Sequence, residues 1–207
     1  MWISVIVVLL TGYLLGNLNG SVCVSMMMHD DVRSHGSGNA GLTNFIRSYG
    51  AGRSLSVIAI DAGKAFLACL VGRLLLDEYG FGIEGAALGG LAVMLGHDFP
   101  ALLGFRGGKG ILSGLFIALA VDWRIGLIIL AVFAVAYLLT WYVSLGSVLA
   151  AITFSLCFCA MHNTQPLVLI CGVVMGLLTV FMHRGNIARL IKGQERKTNL
   201  FGKGKQK

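Results

Sequence analysis

Seven apolar runs separated by short polar loops dominate this chain, and they constrain its fold more than any other feature. The runs lie at about 2–28, 53–76, 83–96, 111–121, 124–140, 144–161 and 166–182. A transmembrane helix needs roughly 20 mostly apolar residues. Of the 207 residues, 57% are hydrophobic and only 12% charged, with a mean hydropathy of +0.83. A soluble domain carries about 25% charged residues to cover its surface, so bilayer is the better solvent here. The chain reads as an all-α, polytopic integral membrane helical bundle, a single domain over 1–207 with about seven transmembrane helices. The first run lacks a basic leader and a small-residue cleavage site, so it reads as a retained span, not a signal peptide. The fourth run is the short one. Eleven residues rise about 17 Å, so it crosses only with turns borrowed from its neighbours or inside a protein-lined region.

Charge sets the expected orientation. Arg33, Arg47 and Arg53 follow the first run, Arg106 and Lys109 follow the third, and a basic tail follows the seventh. That tail holds Arg184, Arg189, Lys192, Arg196, Lys197, Lys203, Lys205 and Lys207. The alternate loops hold Asp77, Glu78, Glu84 and Asp122, with little beyond Arg73 and Arg124. Seven spans with the N terminus outside put every basic segment on the cytoplasmic side, whereas six would strand one outside. The net charge of +7 is therefore read as topology and contact with membrane lipid, not as a nucleic-acid surface. The basic loops also lack the interleaved aromatics of a single-strand binding face. Cys23, Cys69, Cys157, Cys159 and Cys171 all fall in apolar runs, form no Cys-x-x-Cys pair and read as small buried hydrophobes. Gly12, Gly16 and Gly20 make a stripe suited to close helix packing.

Three polar segments interrupt the apolar pattern, all on the expected cytoplasmic side. The first, Asp30 to Arg47, carries Gly36, Gly38 and Gly41 among Ser37, Asn39, Thr43 and Asn44. Glycines allow successive N–H groups to converge on an anion, and Arg47 adds a bidentate fork for phosphate. The same composition also makes an ordinary tight turn. The second, Gly96 to Gly110, sets Arg106 and Lys109 around Gly107 and Gly108, with Gly110 leading into the next run. Those are the parts of a phosphate cradle, though the spacing is not that of a Walker loop. His97 reads first as a packed or capping histidine and only second as a base. The third, His183 to Lys197, sets His183, Arg184 and Asn186 at the membrane boundary, beyond what topology asks for. Inside the second run, Asp61 and Lys64 stand three apart on one helical face, as an ion pair or as functional groups.

No H-x-x-x-x-D dyad, G-x-S-x-G elbow or H-E-x-x-H motif is present, and no Cys/His cluster has metal-ligand spacing. Cation-bearing, glycine-broken backbone at membrane depth would also suit a transporter of phosphorylated metabolites, but no fixed-period internal repeat supports that rival. A non-catalytic scaffold would leave the clustered Ser, Asn, Arg, Lys and His unexplained.

Taken together the segments resemble the bacterial membrane-bound acyl-phosphate:glycerol-3-phosphate acyltransferase family of the PlsY type. The matching stretches are G-S-G-N-A-G-L-T-N-F-I-R at 36–47, D-A-G-K at 61–64, G-H-D-F-P-A-L-L-G-F-R-G-G-K-G at 96–110 and H-R-G-N-I-A-R-L-I-K-G-Q-E-R-K at 183–197. The resemblance implies a seven-helix bundle of the bacterial inner membrane with its site at the cytoplasmic face. It implies transfer of a fatty acyl group from acyl phosphate to the sn-1 hydroxyl of glycerol 3-phosphate, giving lysophosphatidic acid and phosphate. No cofactor and no metal are implied. Ser37, Arg47, Lys109, His183 and Asn186 would then be the catalytic set. Gly36, Gly38, Asn39, Gly41, Thr43, Asn44, His97, Arg106, Gly107, Gly108, Gly110 and Arg184 would bind substrate. This chain departs from the family pattern at Gly16-Asn17-Leu18-Asn19, where Gly-Ser-Ile-Pro is common, and at Leu42 and Ile111-Leu112-Ser113.

Overall fold

A computed structural model describes residues 1–200; Lys203, Lys205 and Lys207 of the basic tail lie outside the described residues. The described chain is all-helical. Its elements are α1 (Trp2–Gly16), α2 (Gly20–Met27), α3 (Leu42–Tyr49), α4 (Ser54–Asp77), α5 (Gly82–Asp98), α6 (Ile111–Val121), α7 (Trp123–Thr140), α8 (Val143–Met161), α9 (Pro166–Met182) and α10 (Arg184–Ile191). Among the described residues, α4, α7, α8 and the stretch Gly82–Leu103 that begins with α5 are long and apolar enough to cross a bilayer, and two bent pairs, α1/α2 and α9/α10, raise the number to six. Large apolar side chains such as Leu55, Leu74 and Leu139 face outward, as lipid contact requires.

The first apolar run is not one straight helix. It breaks at Asn17–Asn19 with a 43° bend. No proline makes this break. The Asn19 side chain accepts from Val22 N at 3.1 Å and so caps α2, a role that competes with continued helix. Asn17 bonds Tyr13 O at 2.7 Å and accepts from Leu102 N at 2.9 Å, which fastens the break to the segment after α5.

Small residues let the helices approach. A Cβ at Gly12 would come within 2.7 Å of Ala92 Cβ, and one at Gly16 would strike the α5 backbone at Val93 and Gly96. Past the bend the stripe changes partner: a Cβ at Gly20 would lie 2.6 Å from Val57 O on α4. Gly72 on α4 and Gly85 on α5 meet backbone to backbone, each leaving no room for a side chain on the other. In a bilayer such contact replaces the hydrophobic drive that joins helices in water.

Helix α6 has 11 residues against 18 in α7 beside it, yet its two ends meet opposite ends of the bundle. Its entry residue Lys109 touches Asn186 after the C-terminus of α9. Just past its exit, Asp122 lies 3.3 Å from His162 at the C-terminus of α8. The segment 99–110 supplies the missing depth by folding back along α5, where Gly108 N donates to His97 O at 3.0 Å. The amphipathic α3 lies on a small second core of Val22, Val24, Val32, Ala40, Phe45 and Val57, which seats the first polar segment against α2 and α4.

Candidate active site

The first polar segment is organised by one side chain. Asn44, 3% exposed, donates to Val32 O, His35 O and Asn39 O, each at 3.0 Å, and accepts from Ser37 N at 2.9 Å. Gly36 and Gly38 take φ of 59° and 71°, a region that favours glycine, and a Cβ on Gly36 would strike Asn44 Oδ1. The polar loop is thus a wound turn that presents Ser37, Thr43 and Arg47. Asn39 reaches Gly107 O at 3.5 Å and links it to the second segment.

The second segment wraps the end of α5. Gly107 lies over His97 O and Pro100, and Gly108 lies on the imidazole of His97. No side chain fits at either position, so the backbone alone passes and delivers Lys109 inward. The Lys109 ammonium contacts Asn186 Oδ1. Burial first, and then the positive charge of Arg189, push Lys109 down to about 8. Burial likewise lowers Arg47.

The third segment closes the ring. His183 is held by its Nδ1, 2.8 Å from Thr179 O. Asn186 donates to Glu195 Oε1 at 2.9 Å, and Arg189 pairs with Glu195 Oε2 at 2.7 Å. Residues past Glu195 then cross the bundle end. Thr198 N donates to Trp141 O and Tyr137 Oη donates to Thr198 O, both at 3.0 Å. Arg47 donates through Nε to Thr198 Oγ1 at 2.9 Å and through Nη2 to Arg196 O at 3.3 Å.

These elements enclose a cavity of about 290 Å³. One wall is polar and cationic: Ser37, Arg47, Lys109, His183, Asn186 and Arg189, with Glu195 as a counter-charge. The other wall is apolar, formed by Leu112 and Leu115 of α6, Ile129, Leu130 and Phe133 of α7, and Ala150 of α8. Asn39, Gly41, Thr43, Asn44, His97 and Gly110 also border it. Gly36, Gly38, Gly107 and Gly108 do not border it; they shape the loops that do. Arg106 and Arg184 lie apart as well. Arg106 is exposed on the loop, and Arg184 caps the C-terminal end of α9, bonding Phe181 O at 3.1 Å with its guanidinium 4.4 Å from the Phe181 ring centre.

Several cavity residues escaped the sequence reading. Arg189 and Glu195 were hidden in a basic tail that topology already explained. Ser144 and Ser147 did leave a signal, as polar residues three apart in the first turns of a largely apolar helix. Among the described residues, no group of three His, Cys, Asp or Glu side chains could hold a metal ion.

An integral membrane helical bundle with a cavity of about 290 Å³ that joins a cationic wall to an apolar trough defines a class of protein. Its walls suit an anionic group on one side and hydrocarbon on the other. The comparisons with known proteins narrow the class. The family model described as glycerol-3-phosphate acyltransferase matches residues 6–193. A glycerol-3-phosphate acyltransferase of Thermoanaerobacter sp. (strain X514) is 38% identical over 89% of this chain and 91% of its own length. One from Synechococcus sp. (strain CC9902) is 36% identical over 98% of this chain and 100% of its own. The crystal structure of PlsY (YgiH), an integral membrane glycerol 3-phosphate acyltransferase in its glycerol 3-phosphate form, superposes with a TM-score of 0.85 at 33% identity, covering 95% of this chain and 96% of that one. Its lysophosphatidic acid form gives 0.82 at 32% identity, with the same coverage. The chain belongs to the glycerol-3-phosphate acyltransferase family.

Proposed function

We propose that this enzyme takes its acyl group from acyl phosphate and transfers it directly to the sn-1 hydroxyl of glycerol 3-phosphate, releasing lysophosphatidic acid and inorganic phosphate. The observation that carries this reading is the pairing of Arg47, Lys109 and Arg189 with an apolar trough in one cavity. Two phosphates meet cations there, and a fatty chain meets Leu112, Leu115, Ile129 and Phe133. The related PlsY structures in glycerol 3-phosphate and lysophosphatidic acid forms support the acceptor and the product.

Acyl phosphate is an activated mixed anhydride, so the protein need not build a strong nucleophile. The glycerol hydroxyl oxygen attacks the acyl carbon, the carbon–oxygen bond to phosphate breaks, and the hydroxyl proton ends on the departing phosphate. It arrives there directly or through His183 Nε2, the unbonded nitrogen of an imidazole that borders the cavity. Arg47, Lys109 and Asn186 hold the phosphates, and Ser37 donates to a phosphate oxygen or to the developing oxyanion. Gly41, Thr43 and Gly110 shape the walls around them. Holding the two substrates in register lowers the barrier by several kcal/mol, up to roughly 7–11 in ideal cases. No acyl-enzyme is needed. Enzyme mixed with radiolabelled acyl phosphate alone gives no burst of phosphate equal to the enzyme present and no labelled protein. A stoichiometric burst with label on Ser37 contradicts direct transfer.

The bundle works as one domain in the bacterial inner membrane, with seven spans, the N terminus outside and the cavity at the cytoplasmic face. Two features support this: the basic loops gather at the cavity end, and α6, despite its 11 residues, meets partners at opposite bundle ends. Cysteines placed in 34–46, 103–110 and 192–203 of a cysteine-free background stay unlabelled by an impermeant thiol reagent in intact spheroplasts. Labelling of any one of them breaks the seven-span topology.

A further inference from the structure

Three buried side chains to which the transfer chemistry above assigns no part meet at the back of the cavity, which Asp61 and His97 border. Lys64 Nζ lies 2.7 Å from Asp61 Oδ1, one turn away on α4. The same ammonium donates to Leu18 O at 2.8 Å, inside the break between α1 and α2. It also lies 2.7 Å from Nδ1 of His97, near the end of α5. Asp61 Oδ1 accepts from Gly20 N at 3.2 Å. Asp61, Lys64 and His97 are at most 4% exposed. An ion pair this deep is expensive to desolvate, and glycine contacts already bring these helices together, so packing does not account for it.

Proton counting gives it a role. An ammonium has three N–H donors and no acceptor. Asp61 Oδ1, Leu18 O and His97 Nδ1 make the three short contacts, at 2.7, 2.8 and 2.7 Å, while Gly16 O stands off at 3.5 Å. Nδ1 is therefore an acceptor, and the neutral imidazole carries its proton on Nε2. A proton on Nδ1 would point at the ammonium. Nε2 lies against the backbone of Gly108, where a Cβ would overlap it, and His97 borders the cavity. His183 is the opposite case. Its Nδ1 faces the carbonyl of Thr179, which only accepts, so Nδ1 carries the proton and Nε2 is left as an acceptor.

The geometry points to Lys64 as a positioning residue that locks His97 in its Nε2–H tautomer. Two imidazoles on one cavity then play opposite parts, His97 as donor to a substrate anion beside the Gly107–Lys109 cradle and His183 as acceptor. The tautomer follows from Lys64 alone; what His97 donates to rests on the acyl-transfer reading.

The test is a long-range ¹H–¹⁵N spectrum of the full-length protein in detergent, labelled at histidine, with single replacements to assign each ring. His97 shows a protonated Nε2 and bare Nδ1, and His183 the reverse. In Lys64→Met/Asp61→Asn, which removes both charges together, His97 loses its single tautomer and KM for glycerol 3-phosphate rises about tenfold. His97→Gln, which offers an N–H near Nε2, keeps more activity than His97→Asn. A protonated Nδ1 on His97, or an imidazolium, in the unaltered protein overturns the lock. A changed tautomer with unchanged KM overturns the positioning role. If the double variant fails to fold, the spectrum of the unaltered protein still decides the tautomer. That spectrum is recorded without substrate, so it stands or falls apart from the donor assignment.

Discussion

Lys109→Ala loses about 10²–10³-fold in kcat/KM, the cost expected for one fixed charge-stabilising group in a dry site. Lys109 reaches the cavity at the end of a backbone path through Gly107 and Gly108, and it contacts Asn186. Its ammonium is buried and crowded by Arg189, which push it down to about 8. Glu195 offsets only part of that cost, and a substrate phosphate supplies a further anion. The variant removes a charge the empty protein holds at a cost, so it remains monodisperse with an unchanged unfolding midpoint in detergent. Lys109→Arg does not rescue it, because a planar guanidinium presents its donors differently from a point charge. The pH profile of kcat/KM reports the free enzyme. With Lys109 near 8, the ammonium is present below that pH and is lost above it. Activity of the unaltered enzyme falls as pH rises through about 8, and Lys109→Ala lacks that limb. Near-normal kinetics in the variant would reduce the loop to a structural turn.

Gly108→Ala is expected to be nearly as damaging, by a steric route. The added Cβ would overlap the His97 ring at Nε2. The ring has nowhere to go: Lys64 Nζ holds Nδ1 at 2.7 Å, and the main-chain oxygen of His97 holds Gly108 N at 3.0 Å. The loop must move instead, and it carries Lys109 with it. KM for glycerol 3-phosphate rises more than tenfold, a loss of about 1.4 kcal/mol or more. Gly63→Ala is the control. A Cβ there meets nothing within 4 Å, so kinetics hold and helix α4 gains about 0.5–1 kcal/mol. Equal KM values for the two variants would show that the cradle does not depend on the close approach of Gly108 to His97.

The apolar runs made the helical membrane class legible because bilayer thickness fixes how much apolar chain a span needs. The two short helices α3 and α10 were not legible in this way, since they lie along the bundle end and follow no span length. The break in the first run was hidden because Asn17 and Asn19 look like polar intrusions until Asn19 is seen capping α2. In the site, Ser37, Arg47, Lys109, His183 and Asn186 come to one cavity. Asn44 marks the limit of motif reading: its type suggests a ligand, but its amide is consumed by loop carbonyls. Arg184 looks the same as a ligand in sequence and instead sits on Phe181. The pair Asp61 and Lys64 could be read from helical spacing. Its third partner, His97, and the contact of Arg47 with Thr198 could not, because no local pattern brings such distant residues together.

The central claim is that the cavity uses an already activated acyl donor, and turnover with competing donors tests it most directly. Purified protein in detergent is given glycerol 3-phosphate with acyl phosphate, acyl-CoA or an acyl carrier protein thioester of the same chain, and lysophosphatidic acid is measured. With acyl phosphate, product and inorganic phosphate appear in equal amounts, and the two thioesters give no turnover above background. Comparable turnover with acyl-CoA as sole donor would contradict the account.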